Sequence, residues 1–180
     1  MKQEISQVVE VPEGCQATYE NRVLTVKGKF GEVSRKIYHP KITISAKGNE
    51  VSLSIPVATQ REKRHLHTLE SHIKNMMRGA SQGHTYKLKV CSGHFPMNVS
   101  ISGNALTVKN FLGEAVPRVC KIKDGVKVQV NGDVIEVSST NKELAGSQAS
   151  DLEQLTRITN KDRRIFQDGL FIIEKDGVSL

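Results

Sequence analysis

A chain of 180 residues suffices for one compact domain or two small ones, and 37% hydrophobic residues with 4% aromatics and no tryptophan predict a thin core of Val, Ile and Leu. A formal net charge of +7 points to a polyanionic partner: nucleic acid, a membrane surface or an acidic protein. Cys15, Cys91 and Cys120 form no CxxC pair, which excludes a zinc ribbon, a dithiol redox motif and a disulfide scaffold. With neither a signal-peptide core nor a membrane-length apolar run, the expectation is a soluble protein of the reducing cytoplasm.

In chain order, the predicted elements run twice through one pattern. LTVKGKFGE occupies Leu24 to Glu32, and "ITISAKGNEVSLS" then alternates apolar and polar residues about a turn at Gly48, a β-hairpin signature. Thr59 and Glu62 have capping-box spacing, and Leu66, Leu69, Ile73, Met76 and Ala80 recur at threes and fours, which predicts a helix. Gly79 and Gly83 supply its stops. The pattern then restarts: LTVKNFLGE lies at Leu106 to Glu114, 82 residues after its counterpart, and "VKVQVNGDVIEVS" predicts a second hairpin about Gly132. Thr140 and Glu143 spell another capping box, followed by an inner face of Leu144, Gln148, Leu152, Leu155 and Ile158, with Gly146 as a tolerated weakness. A cation-rich loop and an apolar strand from Leu170 to Ile173 are extra to the second copy. The fold class predicted is α+β, with two duplicated domains, residues 1–82 and 83–180, each an antiparallel β-sheet carrying one amphipathic helix. The join falls between Gly79 and His84.

No catalytic constellation is written here. His65, His67 and His72 are two and five positions apart, so on a helix they do not share a face and cannot converge on a metal ion. HExxH, GxSxG, Walker and dinucleotide-binding patterns are missing, so neither an enzyme, a cofactor, a metal nor a small-molecule substrate is expected. Asp162 and Asp168 could be read as paired acids of a nuclease, but among arginines they read more simply as salt-bridge partners or turn formers.

The basic residues carry the signal. Residues 1–82 hold 13 Lys/Arg against 8 Asp/Glu, and residues 83–180 hold 13 against 11. In the second half the cations concentrate at Arg157, Lys161, Arg163 and Arg164, where each can reach a different phosphate. REKRH at Arg61 to His65 reads as an ordinary solvated helix face. In SGHFPMNV, Ser92 to Val99, Pro96 breaks strand pairing, and Phe95 could either stack on a base or cap the sheet.

QLTRITNKDRRIFQDGLFIIEK, together with "SHIKNM", HFPMNV and NFLGE, resembles the ribosomal protein L-six family in its archaeal and eukaryotic form, and more the archaeal. The signature places match at Gln154, Ile158, Lys161, Arg164, Phe166, Asp168, Gly169, Leu170, Phe171, Ile172 and Lys175. The bacterial branch carries a different basic motif. The resemblance implies two similar α+β domains in a non-catalytic, structural component of the large ribosomal subunit. It implies binding to large-subunit rRNA, mainly through the C-terminal domain, near the sarcin–ricin loop and the factor-binding side. Neighbouring large-subunit proteins are then partners, with translation factors close by.

Expected phosphate contacts are Arg157, Lys161, Arg163, Arg164 and Lys175, with His94, Lys109 and Arg118 of second rank. The family motif fixes only Lys161, Arg164 and Lys175; charge and proximity nominate the others. Arg164 could instead pair with Asp168. The rival reading is a protein-interaction scaffold that recruits partners through exposed strand edges.

Overall fold

The computed structural model describes residues 3–47 and 49–180, so the predicted turn at Gly48 lies outside the described residues. The chain divides into two compact units, the first ending at Gly83 and the second beginning at His84. Both are α+β, built from antiparallel sheets and one long helix each.

In the first unit, β1 (Gln3–Glu10), β6 (Glu50–Ala58) and β5 (Thr43–Lys47) form one sheet in the order β1-β6-β5. A second sheet runs β2-β3-β4, from Gln16–Glu20, Val23–Gly28 and Gly31–Lys36. Alternation decides which face is buried: Leu24 and Val26 of β3 and Val51, Leu53 and Ile55 of β6 are fully buried. Helix α1 (Gln60–Ser81) covers them with Leu66, Ile73, Met76 and Ala80.

The α1 start follows the capping box: the Thr59 N–H donates to Glu62 Oε2 at 3.0 Å. Of the two expected stops, Gly83 is the one used: the helix runs through Gly79 to Ser81 and the chain reverses at Gly83, where φ is +77°. Gly28 is where the sheet passes under this helix end. A Cβ there would lie 2.5 Å from the Ala80 carbonyl oxygen, so only glycine fits.

The second unit repeats the plan. β7 (His84–Cys91), β12 (Val134–Ser139) and β11 (Val126–Asn131) take the places of β1, β6 and β5, and β8 (Asn98–Ser102), β9 (Ala105–Lys109) and β10 (Arg118–Lys121) those of β2, β3 and β4. The addition is β13 (Gly169–Lys175) with β14 (Val178–Ser179), which extends the main sheet to β11-β12-β7-β13-β14. β13 is longer than the run from Leu170 to Ile173 and less buried: Gly169 and Leu170 are enclosed, while Phe171 is exposed.

Helix α2 (Lys142–Leu155) corrects two readings. Its cap is Asn141, not Thr140: Asn141 Oδ1 accepts the Glu143 N–H at 2.9 Å. Gln148 and Leu152 are buried as expected, but the centre of the buried face falls on the small Ala145 and Ala149, and Leu144 lies at its exposed margin. Leu155 and Ile158 are partly buried against the same core. Gly146 is no mere weakness, since a Cβ there would stand 3.2 Å from the Tyr86 hydroxyl that packs beneath it.

Candidate nucleic-acid interface

Residues 156–168 leave α2 and return to β13 as an exposed loop whose two ends are fastened. At its start, buried Thr156 accepts the Leu170 N–H on Oγ1 at 2.9 Å, joining the helix end to the new strand. At its end, β13 pairs Gly169 with Cys91 and so brings Asp168 beside the loop that follows β7. The Asp168 side chain is only 2% exposed and accepts three bonds, from Gly93 N at 2.6 Å, His94 N at 2.9 Å and His94 Nδ1 at 2.6 Å. Burial by itself pushes the Asp168 pKa up, but the His94 and Gly93 donors outweigh it, and the net pKa is lowered. An ionised carboxylate accepts only, so the His94 proton sits on Nδ1.

The middle of the loop staples itself. The Asp162 carbonyl accepts Ile165 N at 3.1 Å and Phe166 N at 2.9 Å, while its carboxylate takes the Arg164 N–H and guanidinium. Phe166 is flanked by the His94 ring, 4.8 Å away, and by Lys161 Nζ, 4.6 Å from its centroid. Arg157, Lys161, Arg163 and Arg164 all remain exposed around this frame. Arg164 does have an acid partner, but it is Asp162 at 2.8 Å rather than Asp168, and Arg164 stays 90% exposed. Among the described residues no acid pairs with Arg157, Lys161 or Arg163.

Arg118 faces inward. Its guanidinium grips Glu114 through Nε at 2.8 Å and Nη2 at 2.5 Å, gives Nη1 to the Leu155 carbonyl at 2.8 Å, and lies 4.3 Å from the Phe111 ring centroid. It thereby caps the carbonyl end of α2, where the cationic loop departs. His94 is likewise engaged through Asp168. Lys109 stands exposed at the end of β9, opposite Asn98, and Asn110 beside it donates to the Pro96 carbonyl at 3.1 Å. Phe95 is about half exposed and lies against Gly113 rather than beneath the sheet. Three loops therefore meet at one pole: residues 92–97, 110–117 and 156–168. Beside the third of these loops, between the end of α2 and the start of β13, lies a cleft of about 790 Å³ walled by Arg157, Arg163, Phe166 and Phe171 together with the acids Glu153 and Asp168.

Lys175 is not part of this pole. It ends β13, six residues beyond Gly169, roughly 20 Å along the strand. Sequence reasoning also missed the Asp168–His94 latch, whose one visible trace is the Asp-Gly pair at the head of an apolar run.

Fold and site together define a class: a duplicated α+β protein that holds uncompensated cations on a braced loop. The comparisons with known proteins give the family. The family described as Ribosomal protein L6 matches residues 11–83 and 95–169. The chain is 45% identical over 180 residues to "Large ribosomal subunit protein uL6" of Nanoarchaeum equitans, covering 96% of this chain and 94% of that protein. Proteins with the same description from Methanosarcina mazei and Methanobrevibacter smithii are 40% and 38% identical, covering 97% and 96% of this chain and 99% and 97% of theirs. The chain belongs to the ribosomal protein L6 family.

Proposed function

We propose that this chain is a structural, non-catalytic component of the archaeal-type large ribosomal subunit, working in the cytoplasm and bound to large-subunit rRNA through the loop pole of its second unit. The observation that carries the site is the pairing of fixed backbone with unneutralised charge. Thr156 and Asp168 fasten both ends of the loop, while Arg157, Lys161 and Arg163 have no acid partner among the described residues. Ordering the cations in advance lowers the entropy lost on docking against fixed phosphates. Such a contact reads phosphate geometry and RNA shape more than base edges.

In this reading Arg157, Lys161, Arg163 and Arg164 touch phosphate, with Lys109 at the margin. Arg118 and His94 position the loop, and Lys175 serves a separate contact. The work divides by repeat, residues 1–82 and 83–180, the second carrying the main rRNA site. The sarcin–ricin loop and factor-binding side are the proposed location, with translation factors passing nearby and other large-subunit proteins adjoining.

Sedimentation of the tagged protein through a sucrose gradient tests the assignment. The protein should travel with the large subunit and remain there through moderate salt, and ribonuclease should release it. Retention of its partners after ribonuclease treatment would instead favour a protein scaffold.

A further inference from the structure

The first unit gathers a second set of cations that the sequence keeps apart. His39, in the loop between β4 and β5, has its ring centroid 5.1 Å from that of His65 on α1. Arg61 lies one helical turn before His65, so both share a face, and Arg64 is its neighbour at the three-residue spacing. Lys41 returns from the same loop as His39 and places Nζ 2.7 Å from Glu62 Oε1. The charged and titratable groups facing His39 are His65, Glu62, Lys41 and Arg61. Glu62, the one acid among them, is buried and committed to Lys41 and Thr59. Arg61, Arg64 and His65 are exposed, and among the described residues no acid pairs with either arginine.

The chemistry of this cluster selects its ligand. Burial first, then the neighbouring cations, lower the His39 pKa, with Glu62 opposing them. The Lys41 N–H donates to His39 Nδ1 at 3.3 Å, so the neutral ring carries its proton on Nε2. Charging that ring sets Nδ1–H against the Lys41 N–H, and an external anion would offset the loss. Two imidazoles with no free carboxylate do not make a metal site, whereas guanidinium forks beside imidazole donors suit a phosphate. We propose that His39, Lys41, Arg61 and His65 form a second phosphate-binding point for an RNA backbone, separate from the loop pole. The choice of RNA rests on the reading of this chain as an rRNA-binding protein.

The test is NMR of the histidine ring protons in the full-length protein, followed as a short A-form RNA duplex is added. Wild type is compared with R61A, and with R157A/R163A/R164A, which silences the other pole. The His39 and His65 signals should shift in wild type and in the triple variant, but not in R61A. The His39 titration midpoint should rise with RNA bound, so that the triple variant binds about tenfold more tightly near pH 5.5 than near pH 8. Signals that move only at the loop pole would overturn this inference and leave the proposed function standing. Signals that move nowhere would overturn both. A response to polyglutamate but not to the duplex would overturn the phosphate assignment in favour of an acidic protein partner.

Discussion

The Asp168 carboxylate receives both the ring Nδ1–H of His94, at 2.6 Å, and its backbone N–H, at 2.9 Å, across 74 positions of chain. This contact binds the loop after β7 to the loop before β13 and sets the frame on which the arginines stand. Losing this buried carboxylate removes the acceptor from three donors at once, two of them backbone N–H groups.

Asp168→Ala should therefore destabilise the second unit by about 2–3 kcal/mol at neutral pH, read by urea denaturation. The folded-state pKa of Asp168 is lowered, so its stabilisation is present above the ordinary aspartate range and is lost as pH falls through the depressed value. The gap between wild type and variant should close in acid. A gap that persists unchanged there would contradict the carboxylate's role.

Arg118→Ala should separate positioning from phosphate contact. Losing the grip on Glu114 and the Leu155 carbonyl should lower stability by about 1–3 kcal/mol. It should weaken RNA binding without changing the salt slope, since no phosphate contact is removed. Lysine should not restore it, because one ammonium lacks the planar fork whose separate nitrogens reach Glu114 and the Leu155 carbonyl together. A slope reduced by about one would show that Arg118 meets phosphate directly.

Glu62 offers a cleaner titration. The bond from Lys41, followed by that from Thr59, holds its carboxyl at about 2. The capping-box stabilisation of α1 should thus be present above the usual glutamate range and fall away as pH drops through about 2. Side-chain carboxyl chemical shifts would show the midpoint, and a value near an ordinary glutamate's would reject the assigned network.

Gly28→Ala should destabilise the first unit by about 1–3 kcal/mol, because the added carbon meets Ala80 backbone rather than a flexible side chain. Thermal unfolding of the full chain would register it.

Much of this architecture was legible in the sequence, for local reasons. The duplicated strings LTVKGKFGE and LTVKNFLGE expose the repeat directly, and period-two alternation fixes which face of β6 or β12 is buried. The second helix was misread at its start because Thr140 and Glu143 spell a capping box that Asn141 pre-empts. The inner face was misread separately, because apolar size favoured Leu144 where the small Ala145 and Ala149 pack against the core. The contacts that shape the site were beyond local reading. His94 meets Asp168, Arg118 meets Leu155 and His39 meets His65 only once the sheets are assembled. Charge and proximity grouped Arg118 with the loop cations, and the family motif grouped Lys175 with them, although one turns inward and the other ends the far side of β13.

The central claim is that preorganised, unneutralised cations on residues 156–168 bind rRNA phosphate. Its most direct test is the salt dependence of binding to a domain-sized rRNA fragment, measured for wild type and for R157A/R163A. If each arginine meets a phosphate, the double variant should bind more weakly and its log–log salt slope should fall by about two. Affinity and slope equal to wild type would contradict the account.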